Sequence, residues 1–161
     1  MKLRLKSDNE RIAAVVLDEY FPIKAVFSDK IEDLAHIGFY RSNTDLLELT
    51  LDRGSGELRS IVLTLCKTYT VKEDCFSLKG VSEIEEAAID APSRVDCDYF
   101  SVSVYKDGVY AALSKQAPTS MIKCRNVVFM LSGGVNIAGI AIVGMTTAEI
   151  SHCLTELEYM Q

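Results

Sequence analysis

Two histidines, five cysteines and one dense run of carboxylates are the residues of this chain whose chemistry invites a functional reading. His152 stands directly before Cys153, but helix neighbours point about 100° apart. The two therefore do not form a base–nucleophile pair. Cys153 falls on an apolar helix face, which leaves His152 a surface residue. His36 follows Asp33 by one helical spacing, and its ordinary reading is a cation near a helix end. The cysteines, Cys66, Cys75, Cys97, Cys124 and Cys153, show neither a C-x-x-C pair nor zinc-ligand spacing. Cys66, Cys124 and Cys153 lie in apolar runs and read as small core hydrophobes. Cys75 and Cys97 flank polar stretches, so a disulfide between them stands beside the reading of two free thiols. Cys97 sits between Asp96 and Asp98. Two carboxylates push a thiol's pKa up, whereas a reactive thiol needs it down.

No phosphate-binding glycine loop is present. Gly54-Ser55-Gly56 and Ser132-Gly133-Gly134 each fall between two strand-like runs, and a phosphate cradle needs glycines that lead from a strand into a helix. Gly139 and Gly144 interrupt a strand-like run, as a bulge or a close backbone approach would. No metalloprotease, nucleophile-elbow or EF-hand pattern occurs. The expectation is a chain with no catalytic signature, no cofactor and no metal. The formal charge is −6, and the basic residues are scattered apart from Lys2, Arg4 and Lys6. Nucleic acid is therefore not an expected partner.

The carboxylates are concentrated. Glu83, Glu85, Glu86, Asp90, Asp96 and Asp98 share their segment with one cation, Arg94, so 16 positions carry −5 of the net −6. Ile84, Ile89 and Val95 interleave with them, and Tyr99 follows. One reading is a solvated loop that aids solubility. The other is a docking surface for a basic protein, with charge steering the encounter and Tyr99 among its apolar anchors. A calcium site would need ligand spacing that is absent.

Pattern along the chain predicts the elements that hold these residues. Ile12–Leu17 reads as a buried strand or the middle of a short helix, ended by Pro22. Ile31–Ile37 suits a short helix capped from Ser28-Asp29. Leu47, Leu49 and Leu51 alternate with polar residues, a turn follows at Arg53–Gly56, and Leu58–Leu65 returns as the second strand of a hairpin. Residues 82–98 read as a loop with at most a helical turn. Tyr99–Tyr105 and Val109–Leu113 form a second hairpin around Asp107-Gly108. Met121–Leu131 and Val135–Val143 form a third, apolar on nearly every residue, as covered strands are. The apolar length from Val127 to Met145 approaches that of a membrane span, but its central glycines and Asn136 mark a turn. The chain closes on a helix with a Thr146/Glu149 capping box and Ile150, Cys153, Leu154 and Leu157 on one face. The fold class expected is α+β: a mainly antiparallel sheet of successive hairpins with the C-terminal helix packed on it, in one domain spanning 1–161. The N-terminus is basic with no apolar stretch behind it, which does not suit a signal peptide. A cytoplasmic protein that does not engage a membrane is expected.

The hairpin LLELTLDRGSGELRSIVLTLC, Leu46–Cys66, resembles a stretch of the bacterial immunity proteins that neutralise polymorphic toxins, including those of contact-dependent growth inhibition. The likeness covers 21 residues and assigns no binding residue. It implies a catalytically silent protein that binds a cognate toxin stoichiometrically. The acidic segment would then face a basic, nuclease-type toxin. Two other classes stand against this reading. One is a small enzyme or ligand-binding domain with a site assembled from distant residues, such as Cys97 with Asp96 and Asp98 or the tyrosines. The other is an oligomerising subunit that pairs through an exposed hairpin edge.

Overall fold

In a computed structural model, residues 14–28, 33–84, 87, 89–133 and 136–161 are described. They form thirteen strands and one helix. The first sheet contains β1 (Ala14–Val15), β2 (Ile23–Val26), β3 (Leu34–Arg41), β4 (Asp45–Asp52), β5 (Leu58–Leu65) and β8 (Arg94–Asp96), in the order β1-β2-β5-β4-β3-β8. The second contains β6 (Tyr69–Val71), β7 (Val81–Ile84), β9 (Ser101–Tyr105), β10 (Gly108–Ala112), β11 (Ser120–Cys124), β12 (Val127–Ser132) and β13 (Asn136–Val143), in the order β6-β9-β10-β13-β12-β11-β7. The helix α1 spans Thr147–Tyr159.

Alternation explains the packing. On β4, Leu47, Leu49 and Leu51 are buried, while Glu48 and Thr50 face outward. Ile61 and Leu63 of β5, Ile37 and Phe39 of β3 and Ile23 and Ala25 of β2 join them from the first sheet. Val102, Val104, Val109, Ala111, Phe129, Ile140 and Ile142 oppose them from the second, within one hydrophobic cluster. The gap left between the sheets there is about 10 Å³, no more than one water requires. The architecture is a two-sheet sandwich.

Strands β12 and β13 are buried on both faces, as their continuous apolar pattern predicts. Their outer cover is the 72–80 segment. Phe76 packs there with Val128, Met130, Ala141 and Val143, and meets the Tyr105 ring edge-on at 5.3 Å. The Phe76 amide donates to Asp107 Oδ1 at 2.7 Å, which pins this cover in place.

The helix has the capping box read from sequence. Thr146 Oγ1 accepts from the Glu149 amide, and the Thr146 amide donates to Glu149 Oε2 at 2.7 Å. Ile150, Cys153 and Leu157 enter the common core. His152 is more than a surface residue. Its Nε2 lies 3.0 Å from the Asp18 carbonyl, so Nε2 carries the proton and ties the helix to the β1–β2 turn.

Four expectations are corrected. The sheets are mixed, because β6, β7 and β8 are short strands that lie parallel to β9, β11 and β3. Each reaches its edge by a crossing segment, and a crossing rather than a tight turn permits parallel pairing. Leu34–Arg41 is a strand, not a helix: Ile37 and Phe39 alternate with Gly38 and Tyr40 and pair with β4 over eight residues. The expected cap at Asp29 and the start at Ile31 lie outside the described residues. Residues 82–98 contain strand at both ends, β7 and β8. Met121–Leu131 is two strands, because Arg125 adopts a left-handed φ of 57° and turns the chain back at Arg125-Asn126. The Ile12–Leu17 run contributes β1 at the sheet edge; Ile12 and Ala13 lie outside the described residues.

Candidate functional site

The acidic segment is a structural crossing with charged outer positions. It leaves the second sheet at β7, runs past the β4–β5 turn and joins the first sheet at β8. Ala87 and Ile89 are buried in the common core. The Ala87 carbonyl accepts from the Leu58 amide at 3.1 Å, and the Ile89 amide donates to the Gly56 carbonyl at 2.9 Å. Ala87 and Ile89 thus hold the crossing down, and among the described residues Glu83, Asp90, Asp96 and Asp98 are exposed.

The carboxylates differ in what they meet. Glu83 on β7 pairs with Lys123 of β11 at 2.9 Å. Asp96 on β8 pairs with Arg94 at 2.9 Å, and the Arg94 guanidinium also stacks 4.2 Å over the Tyr40 ring. The Asp96 hydrogen bond holds Arg94 more firmly protonated than usual. Both ion pairs reach solvent, although the Lys123 end is half-buried, and such pairs contribute little stability. Asp90 and Asp98 are exposed and have no ion pair or hydrogen-bond partner among the described residues. Glu85 and Glu86 lie outside the described residues. Tyr99 is half-buried.

Beside Asp90 the sandwich opens. A cleft of about 350 Å³ is lined by Phe39, Ala91, Pro92, Val95 and Ile137, with Asp90 and Asn136 completing it. Val95 and Phe39 are paired across β8 and β3 and both face inward. Ile137 and Asn136 open β13 on the opposite sheet. Phe39, Asn136 and Ile137 were not legible as site residues, because 41 to 98 positions separate Phe39 and Ile137 from each other and from Asp96. No local pattern announces such a meeting.

Nucleophilic chemistry finds no activated group among the thiols with resolved shifts. Burial first, then Asp98 and Asp96, push Cys97 up to about 11. Burial first, then Asp45, pushes Cys66 up to about 12, and burial does the same to Cys153. All five cysteines are free. Cys75 rides the cover of the second sheet while Cys97 follows β8 of the first, so the alternative disulfide does not form. The tyrosines do gather: Tyr105 and Tyr110 flank Phe76. Burial first, then the Tyr105 and Tyr99 phenols, keep Tyr110 protonated beyond its ordinary range. Such phenols donate hydrogen bonds and do not act as bases near neutral pH. His36 is exposed, with Nδ1 3.3 Å from Thr50 Oγ1. No group of three or more potential metal ligands converges among the described residues.

Nothing matches. Neither the models of protein families nor the curated proteins include one similar to this chain. Among the described residues no helix is long and apolar enough to cross a membrane. The apolar Val127–Met145 stretch supplies β12 and β13 instead.

Proposed function

We propose that this chain is a non-enzymatic binding protein that neutralises a basic protein partner by stoichiometric association through the 83–98 crossing. The observation that carries the reading is the state of Asp90 and Asp98: two exposed carboxylates without partners among the described residues, on a crossing anchored by Ala87 and Ile89, with Asp90 on the lining of an apolar cleft. A charged surface whose backbone is tied down, as at Ala87 and Ile89, loses less entropy on binding. Unpaired carboxylates steer a cationic partner without first breaking an internal ion pair. Glu83, Glu85, Glu86, Asp96 and Tyr99 complete the proposed surface. Glu83 and Asp96 form its already compensated part.

The resemblance of Leu46–Cys66 to toxin-immunity proteins makes a nuclease-type toxin the most concrete partner, bound in the bacterial cytoplasm. Five free cysteines suit a reducing compartment. Reversal of Asp90 and Asp98 to lysine, or of Glu85 and Glu86, weakens the association and lowers its on-rate in low salt. Unchanged affinity in both double variants would remove the crossing as the binding surface. The ligand-binding alternative draws on the same cleft, whose lining comes from three separate stretches of chain. A small-molecule site, however, usually presents several converging polar groups, and this lining offers only Asp90 and Asn136.

A further inference from the structure

The cleft differs in kind from the charged surface around it. Five of its lining residues are apolar, and they come from β3, β8, β13 and the crossing. At about 350 Å³ it exceeds a packing defect by far; the gap deeper between the sheets is about 10 Å³. Asp90 belongs to its lining and is exposed, so the carboxylate stands where the cleft meets water. The nearest cation in sequence, Arg94, is already engaged by Asp96 and by the Tyr40 ring. An apolar hollow with a carboxylate at its edge that is unpaired among the described residues has the layout of an interface centre and its polar rim.

We propose that this cleft is the anchor pocket for an aliphatic or aromatic side chain of the partner, carried next to a lysine or arginine that meets Asp90. This inference rests on the reading of the crossing as a docking surface for a basic polypeptide, and it adds which chemistry that polypeptide presents. An apolar side chain in such a pocket supplies the concentrated binding energy of a hot spot. The adjacent cation selects for sequence context.

The test uses the full chain with methyl-labelled alanine, valine and isoleucine and three capped tripeptides, Lys-Leu-Lys, Lys-Ser-Lys and Glu-Leu-Glu. Lys-Leu-Lys should cause saturable shifts at the Ala91, Val95 and Ile137 methyls. The other two should bind about fivefold or more weakly, the factor expected for loss of an anchor worth about 1 kcal/mol. Asp90→Asn should bring Lys-Leu-Lys and Glu-Leu-Glu closer together. Ala91→Trp, which fills the cleft, should abolish the shifts at Val95 and Ile137 while the remaining spectrum stays native. If Ala91→Trp fails to fold, the comparison of the three peptides on the unaltered chain decides alone. Absence of saturable shifts at these methyls, or equal binding of Lys-Leu-Lys and Glu-Leu-Glu, would overturn the proposal. That failure is separable from failure of the docking reading: a partner whose binding falls on Asp90 and Asp98 reversal would still use the crossing, with its anchor elsewhere.

Discussion

Asp45 shows what a single carboxylate contributes when it is built in rather than displayed. It is 4% exposed at the start of β4, where Oδ1 accepts from the Lys67 amide at 2.8 Å and Oδ2 from Thr44 Oγ1 at 3.1 Å. Asp45→Ala strands the Lys67 amide, and the loss of a buried partner costs about 1–3 kcal/mol. Chemical denaturation should show that loss, whereas Asp98→Ala, exposed and unpaired, should change stability by no more than about 0.5 kcal/mol. The thiols give a pH signature. Cys66 and Cys153 are raised to about 12 and Cys97 to about 11, chiefly by burial. The folded state therefore holds these protons more tightly than the unfolded chain does. Their contribution is complete below the unfolded thiol pKa of about 8.5 and is lost as pH climbs toward 11–12. Unfolding free energy should decline over that alkaline window, and substitution of Cys66 and Cys153 by alanine should flatten the decline. At neutral pH, Cys75, which is exposed, should alkylate first. Rapid alkylation of Cys97 would contradict the assignment of an inert thiol. The direction of the Cys97 shift was legible in its flanking aspartates. Its larger cause, burial, was not, because burial depends on strands that meet only in the fold.

At the scale of elements, the hairpins and the helix were readable because their determinants are local. Leu47–Leu51 alternates with period two, and Thr146 and Glu149 have capping-box spacing. Thr146→Ala should cost about 1 kcal/mol in thermal or chemical unfolding. The Asp107-Gly108 signal gave the right hairpin for a different reason. The turn residues are Lys106 and Asp107, and Gly108 is already paired with Tyr105. A Cβ at Gly108 would lie 2.5 Å from the Ile142 carbonyl oxygen of the neighbouring strand. Gly108→Ala should therefore destabilise by about 1–3 kcal/mol through forced backbone displacement, and a neutral effect in denaturant titration would contradict that close approach. The edge strands β6, β7 and β8 escaped notice because strands of three or four residues carry too little pattern. Their shortness also has a consequence. Together with the two-residue β1 they leave little ladder for a second copy, which works against pairing through a hairpin edge. The helix expected over Ile31–Ile37 rests on apolar residues at Ile31, Leu34 and Ala35, a spacing that the pairing of β3 with β4 overrides.

For the whole molecule, the two sheets share one core, the helix joins the β1–β2 turn to that core, and the acidic crossing passes from one sheet to the other. Charge concentration in 83–98 was visible in composition alone. Which carboxylates are compensated was not, since Lys123 lies 40 residues from Glu83. The distinction turns a uniform acidic run into two carboxylates unpaired among the described residues, Asp90 at an apolar cleft and Asp98 after β8, and the binding reading depends on it. The most direct test is affinity purification of the tagged chain from its own host in parallel with the Asp90→Lys/Asp98→Lys variant, each washed at low and high salt. Binding through the crossing predicts a single basic protein in one-to-one ratio with the unaltered chain, released by high salt and absent from the variant. The same protein held equally by both chains at both salt concentrations, or no stoichiometric basic partner with either, would contradict it.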